Sequence, residues 1–171
     1  AIDCLHAGDS ERGCYERHNQ GLILGNDIDN RFLPGIRTKK LASPATVLTI
    51  GNAAKWPPQF EKNTDNDETA PSRKQLLYDR IICDVPCSGD GTIRKNPSIW
   101  RSWQKTFTFA FQLHTKQLKI LLRGLHHLKP GGYLTYSTCS MNPIENEAVV
   151  LAALTRYGSD VVELCDAPRH V

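Results

Sequence analysis

The sequence predicts an α/β fold, a mostly parallel sheet with helices on both faces. Three observations point there. Short apolar runs rich in β-branched residues alternate with longer stretches at helical spacing, the pattern of strands joined through crossover helices. Several of those runs end on an acid or lead straight into a cysteine. The side chains with chemical potential all fall at or just past the carboxyl ends of the predicted strands, the edge where open α/β sheets hold their ligands.

Taken in order, GLILGND at residues 21–27 reads as a buried strand ending on Asp27. Residues 30–41 suggest a short helix, weakened in its first turn by Pro34 and Gly35. ATVLTI at residues 45–50 is rich in β-branched side chains and forms the next strand. From 56 to 73 the chain turns polar, opening with Pro57 and Pro58, which predicts a mobile surface insertion. YDRIICDV at residues 78–85 is a third strand carrying Asp84 at its end, and residues 86–97 form a loop of glycines, acids and basic residues. Leu118, Leu121, Leu122, Leu125 and Leu128 keep helical spacing within residues 99–128. Pro130, Gly131 and Gly132 are expected to stop that helix. Residues 133–137 make a fourth strand that leads directly into Thr138, Cys139 and Ser140. Residues 144–154 are expected to be helical, with Glu145 and Glu147 in the first turn where the helix dipole favours acids. Residues 161–164 suggest the start of a further strand. The length suits one domain spanning residues 1–171.

Composition narrows the class. The chain is 40% hydrophobic and 23% charged, an ordinary globular balance, and no apolar run approaches the ~20 residues that span a bilayer. Asp3, His6 and Asp9 stand where a secretory leader would carry basic and apolar residues, so an intracellular setting, nucleus or cytoplasm, is expected. In that setting the six cysteines (Cys4, Cys14, Cys83, Cys87, Cys139 and Cys165) are expected to be reduced. Cys83 and Cys87 lack a second pair at zinc-finger spacing, so no metal site is expected. A net charge of +3 and a pI near 8.6 allow a nucleic-acid partner without requiring one. Lys39 with Lys40 and Arg73 with Lys74 read as solvated surface, whereas Arg94 and Lys95 lie beside the densest chemical segment.

An acid at a strand end beside a nucleotide pocket accepts hydrogen bonds from ribose hydroxyls. Asp27 fits, with Asp29 as the alternate or as a helix N-cap. Asn52 has an amide suited to an adenine edge, or to a turn. In residues 84–91 (DVPCSGDG), Asp84 is followed by a rigid proline and glycines that allow close backbone approach to a ligand. Cys83 reads as packing. Cys87 lies past the strand, where a thiol is accessible and tunable, and Cys139 lies between Thr138 and Ser140, whose hydroxyls could stabilise a thiolate.

DVPCSGDGTIRKNPSIW at residues 84–100 and LKPGGYLTYSTCSMNPIENEAVV at residues 128–150 closely resemble the Sun (Fmu-like) family of RNA cytosine-C5 methyltransferases. The DGTIRKN and NPIENEAVV stretches look most like its eukaryotic tRNA-modifying branch, and weaker similarity extends over GNDIDN and the third strand.

The resemblance implies a Rossmann-like class I methyltransferase core that uses S-adenosylmethionine and acts on RNA, tRNA in that branch. It implies Cys139 as the nucleophile that adds to cytosine C6, and Cys87 as the thiol that assists product release. Asp84 is expected at the base edge or the methionine end of the cofactor, Asp27 and Asn52 at the cofactor, and Arg94 and Lys95 on RNA phosphate. The target base has to leave its stack to be reached. Two departures are visible: Asn52 stands where the family usually has an aspartate, and the family's first strand, its Cys-Ala-Ala-Pro-Gly-Ser-Lys-like loop and its last strands are expected outside this chain. Two other readings stay open at this level. A DNA cytosine-C5 methyltransferase would attack with Cys87, and a catalytically inactive RNA-binding or scaffold module would keep only the fold. A nicotinamide enzyme is disfavoured, since no GxGxxG follows a strand.

Overall fold

The computed structural model describes residues 21–31, 45–60, 75–101 and 103–165. They divide into two units, the first running to Ala53 and including Cys165, the second spanning Ala54–Leu164. In the first, β1 (Ile23–Asp27) pairs in parallel with β2 (Thr46–Ile50), in register from Ile23 opposite Thr46 to Asp27 opposite Ile50. Side chains tie the carboxyl ends together: Asn26 Nδ2 donates to the Gly51 carbonyl at 3.0 Å and Thr49 Oγ1 to the Gly25 carbonyl at 3.1 Å. The helix expected over residues 30–41 lies mostly outside the described residues; Asn30 and Arg31 form a turn.

In the second unit β3 (Gln59–Phe60) and β4 (Gln75–Leu76) form a short antiparallel pair at the two ends of the polar insertion. Residues 61–74 of that insertion lie outside the described residues. β5 (Tyr78–Asp84) pairs in parallel with β6 (Leu128–Ser137), with Arg80 opposite Tyr133 and Asp84 opposite Ser137. Parallel neighbours need a crossover, supplied here by α1 (Ser98–Arg101) and α2 (Trp103–His127), and α2 packs on both strands. α3 (Glu147–Tyr157) follows β6 and packs on α2. It is closed by Gly158 at φ +81, whose N–H donates to the Leu154 carbonyl at 2.8 Å.

Three boundaries differ from the sequence-based expectation. β6 begins at Leu128, so the Pro130–Gly131–Gly132 segment does not separate helix from strand. It forms an irregularity inside the strand, where the register shifts between Tyr78 and Arg80 and Gly131 sits at φ +74. α3 begins at Glu147, later than expected. Residues 143–146 form a turn, in which the Glu145 N–H donates to the Asn142 carbonyl at 3.0 Å and the Ala148 N–H to the Pro143 carbonyl at 2.9 Å. Residues 161–164 are not a strand. Val161 closes a turn onto Gly158, and Val161 and Leu164 are exposed. An apolar run becomes a strand only where a neighbour receives its side chains and backbone, and none of the described strands does so.

The core of the second unit is Leu121, Val149 and Ala153, with Leu118, Leu122, Leu125, Leu134 and Tyr136 packed around them. The leucine spacing of α2 therefore buries as expected, apart from Leu128, which starts the strand. Helix and sheet approach closely at Gly124, where a Cβ would lie 2.8 Å from Leu134 Cδ1 and 2.9 Å from Cys83 Sγ. Cys83 is buried there, and burial pushes its thiol up to about 11, in keeping with a packing role. One polar residue, Gln117, sits fully buried on the face of α2 that carries Leu113 and Leu121. Leu121→Ala should lower stability by ~2–5 kcal/mol through the cavity it opens. The exposed Leu151→Ala on α3 should stay within about 0.5 kcal/mol of the parent. Urea unfolding midpoints followed by circular dichroism test the contrast.

Candidate active site

In the first unit the register of β1 and β2 brings Asp27 to the same carboxyl edge as Gly51 and Asn52. The Gly51 N–H donates to the Asp27 carbonyl at 2.8 Å. Asp27 is exposed and its Oδ1 accepts the Asp29 N–H at 2.9 Å, forming a turn that holds the carboxylate at the strand end. Asn52 is exposed directly after Gly51, past the end of β2. Asp29 turns to Arg31 instead, accepting the Arg31 N–H at 2.9 Å and its guanidinium, which holds the Asp29 carboxyl down to about 2. The Arg31 N–H bond to Asp29 Oδ1 closes a local turn, and the helix that Asp29 was expected to cap lies mostly outside the described residues.

In the second unit the parallel register places Asp84 opposite Ser137, so two loops leave the sheet at one edge. One carries Cys87, the other Cys139. Their sulfurs are 3.1 Å apart, and the Cys139 N–H donates to Cys87 Sγ at 3.3 Å. Further bonds stitch the loops together. The Val85 N–H donates to the Ser137 carbonyl at 3.1 Å, the Gly91 N–H to the Cys139 carbonyl at 2.9 Å, and the Met141 N–H to the buried Asp90 Oδ1 at 2.7 Å. Gly91 has to be a glycine, since a Cβ would lie 2.7 Å from the Cys139 carbonyl oxygen. Asp84 is exposed and accepts a hydrogen bond from Ser137 Oγ at 3.2 Å. Arg94 and Lys95 are exposed further along the Cys87 loop, past a 3₁₀ turn at Asp90–Thr92.

The hydroxyls flanking Cys139 do not serve its sulfur. Thr138 Oγ1 donates to Asn146 Oδ1 at 2.6 Å, and Ser140 Oγ donates to Glu145 Oε1 at 2.9 Å. They hold the loop, and the neighbour of Cys139 Sγ is the other thiol. Glu145, expected in the first turn of a helix, lies in the turn before α3 and is fully buried. Its Oε2 accepts the Ser88 N–H at 2.8 Å and Gln117 Nε2 at 3.0 Å, and its carbonyl accepts the Tyr136 hydroxyl at 2.6 Å. Gln117 Nε2 also donates to the Pro86 carbonyl at 3.0 Å. Neither Glu145 nor Gln117 stood out in sequence as part of a site. The available signal was Gln117 itself, an amide occupying a position in an apolar helical stripe.

The two thiols differ in setting. Cys139 is exposed and Cys87 half-buried. Burial, and then the hydrogen bond with the Cys139 thiol, push Cys87 up to about 11, outweighing the backbone N–H groups of Cys139 and Gly89 that favour its thiolate. Cys87 is therefore a protonated thiol at neutral pH, poor as a nucleophile and well placed to share a proton with the neighbouring sulfur. Among the described residues no group of three His, Cys, Asp or Glu side chains could hold a metal ion, and no helix is long and apolar enough to cross a membrane.

A mostly parallel α/β arrangement with paired side chains at the carboxyl edges of its strands is that of a Rossmann-like methyltransferase fold. Over 80% of its length the chain superposes on a crystal structure of a methyltransferase homolog protein from Pyrococcus horikoshii, with a TM-score of 0.54 and 29% identity, covering 37% of that chain. Residues 17–170 match the family described as 16S rRNA methyltransferase RsmB/F, and the chain belongs to that family. The multisite-specific tRNA:(cytosine-C(5))-methyltransferase trm4b of Schizosaccharomyces pombe is 46% identical over 157 residues, 89% of this chain and 22% of that protein. The tRNA (cytosine(34)-C(5))-methyltransferase of Drosophila melanogaster is 40% identical over 97% of this chain and 21% of that protein. The chain thus spans about a fifth of the length of these curated relatives.

Because the Cys87 thiol is held up to about 11, its alkylation by iodoacetamide should be slow at neutral pH. The rate should rise about tenfold per pH unit on approach to that value, as the thiolate fraction grows. Peptide mass spectrometry of the parent protein across a pH series, with fragmentation to read Cys87 apart from Cys139, measures the profile; a plateau already reached by neutral pH would contradict it.

Proposed function

We propose that this chain is the thiol-bearing catalytic core of an RNA cytosine-C5 methyltransferase acting on tRNA, with S-adenosylmethionine as methyl donor. The observation that carries the reading is the 3.1 Å approach of Cys87 and Cys139 at the carboxyl edge of β5 and β6. The tRNA cytosine-C5 activity named for relatives at 46% and 40% identity supports the substrate class.

Asp27 and Asn52 suit the cofactor chemically. An exposed strand-end carboxylate offers acceptors for ribose hydroxyls, and an exposed amide offers both a donor and an acceptor to an adenine edge. When bound, S-adenosylmethionine supplies an electrophilic methyl group on a positive sulfur. Everything else falls to side chains of this chain. Cytosine C5 is a weak nucleophile. The Cys139 thiolate forms a bond to C6, pushing the ring electrons toward C5 so that C5 can take the methyl group. Asp84 faces the amino and ring-nitrogen edge of the base and stabilises positive charge on the ring. Solvent water takes the C5 proton, the electrons of the C5–H bond restore the C5–C6 double bond, and the C6–sulfur bond breaks with its electron pair returning to Cys139 Sγ. Cys87, a protonated thiol beside that sulfur, assists the departure by supplying a proton to it. Arg94 and Lys95 contact RNA phosphate from the exposed loop. Two reduced thiols suit the nucleus or cytoplasm.

The assignment of Cys87 as attacking thiol, as in DNA cytosine-C5 methyltransferases, is disfavoured by its burial-raised titration. The test uses the full-length gene product that carries this segment, with tRNA and with RNA containing 5-fluorocytosine, whose C5 substituent cannot leave as a proton. Cys139→Ala should abolish both methylation and covalent trapping. Cys87→Ala should instead accumulate a covalent RNA adduct on unmodified substrate. Adducts retained by Cys139→Ala and lost in Cys87→Ala would reverse the two roles.

A further inference from the structure

Glu145 is a carboxylate with no surface exposure, and its side-chain partners are all neutral donors: Ser88 N–H, Gln117 Nε2 and Ser140 Oγ. Burying a carboxylate is costly, and such a group persists only where its acceptor sites are filled. The identity of the donors matters more than their number. Ser88 directly follows Cys87, and Ser140 directly follows Cys139. Gln117, which shares Glu145 Oε2 with Ser88, also donates to the carbonyl of Pro86, the residue before Cys87. The peptide groups on both sides of Cys87 are thus anchored to one buried pair, Gln117 and Glu145. The opposite oxygen of the same carboxylate holds the residue after Cys139. Ser88 Oγ and Ser140 Oγ lie 3.1 Å apart, closing the ring between the loops. Glu145 cannot swing away, because its own N–H donates to Asn142 and its own carbonyl accepts Tyr136 from β6.

We infer that Glu145 is a positioning residue that sets the spacing between the two sulfurs by clamping the Cys87 and Cys139 loops through one carboxylate. The inference rests on the methyltransferase reading for its catalytic consequence, but not for its geometry. A nucleophile displaced by about 1 Å can lose on the order of 100-fold in rate, while substrate affinity, which depends on other contacts, is kept. Neither oxygen of Glu145 touches a thiol in this arrangement, so its effect passes through the two loops.

The test uses the full-length gene product and two readouts. The first is bridging of Cys87 to Cys139 by dibromobimane, a reagent that fluoresces when it links two nearby thiols, with the bridged peptides identified by mass spectrometry. The second is steady-state methylation of tRNA. Glu145→Ala should lower the bridging yield several-fold and kcat by about 100-fold with KM for tRNA near the parent value. Glu145→Gln should recover most of both. Its carbonyl can still accept from Ser88 and Gln117, and its amide can donate to Ser140, whose hydroxyl can accept in place of donating. A folded Glu145→Ala protein with parental bridging and parental kcat overturns the clamp. So does a Glu145→Gln protein as impaired as Glu145→Ala, which would mean that charge and not geometry is at work. If Glu145→Ala does not fold, Ser140→Ala decides: it removes one arm, and the bridging yield should fall, whereas an unchanged yield overturns the inference. Should the parent protein bridge its thiols yet methylate no RNA, the functional reading fails while the bridging series still judges the clamp.

Discussion

The parallel pairing of β5 with β6, which sets Asp84 opposite Ser137, is the constraint from which the site follows. Cys87 and Cys139 lie 52 residues apart in the chain, and nothing local could bring their sulfurs to 3.1 Å. Parallel strands joined by a crossover helix both point their carboxyl ends the same way, so loops that begin there emerge side by side. α2 makes that crossover, burying its leucine face under the sheet and against α3. The energy of that burial holds the strand pair together, and the strand pair holds the loops.

Hydrophobic packing fixes the strands but cannot fix the last ångström between two thiols. That task falls to hydrogen bonds from one loop to the other: Gly91 to Cys139, Met141 to Asp90, and the buried carboxylate of Glu145 reached from both sides. Such a network is directional, and its buried members are costly to leave unpaired, so it specifies one arrangement where an apolar contact would tolerate several. Gln117 connects the two levels of organisation. Its backbone belongs to the core helix, and its amide reaches the cysteine loop.

Cys83 and Cys87 show how burial and neighbourhood together decide what a thiol can do. Burial is the largest cause of the upward shift for both, and both are pushed to about 11. Cys83 lies under Gly124 against apolar side chains, where a protonated thiol only fills space. Cys87 is half-buried with a second thiol in hydrogen-bond contact, so the same shift keeps it protonated beside an exposed sulfur.

The sequence by itself determined the features that depend on local pattern. The strand ending at Asp84 and the leucine face of α2 are readable from spacing and residue type, because periodicity and turn chemistry act over a few residues, and the two cysteine segments carry the family resemblance as whole motifs. It misplaced what depends on distant neighbours. Residues 161–164 have strand composition but no strand partner among the described residues, and the Pro130–Gly131–Gly132 segment could not be told from a helix stop because its pairing with β5 is non-local. Glu145 is the clearest case. An acid near a helix start is ordinarily a solvated dipole partner, and only the convergence of α2, the Cys87 loop and the Cys139 loop around it turns that residue inward. Burial of a polar group is decided by what folds over it, and a linear pattern carries no record of that.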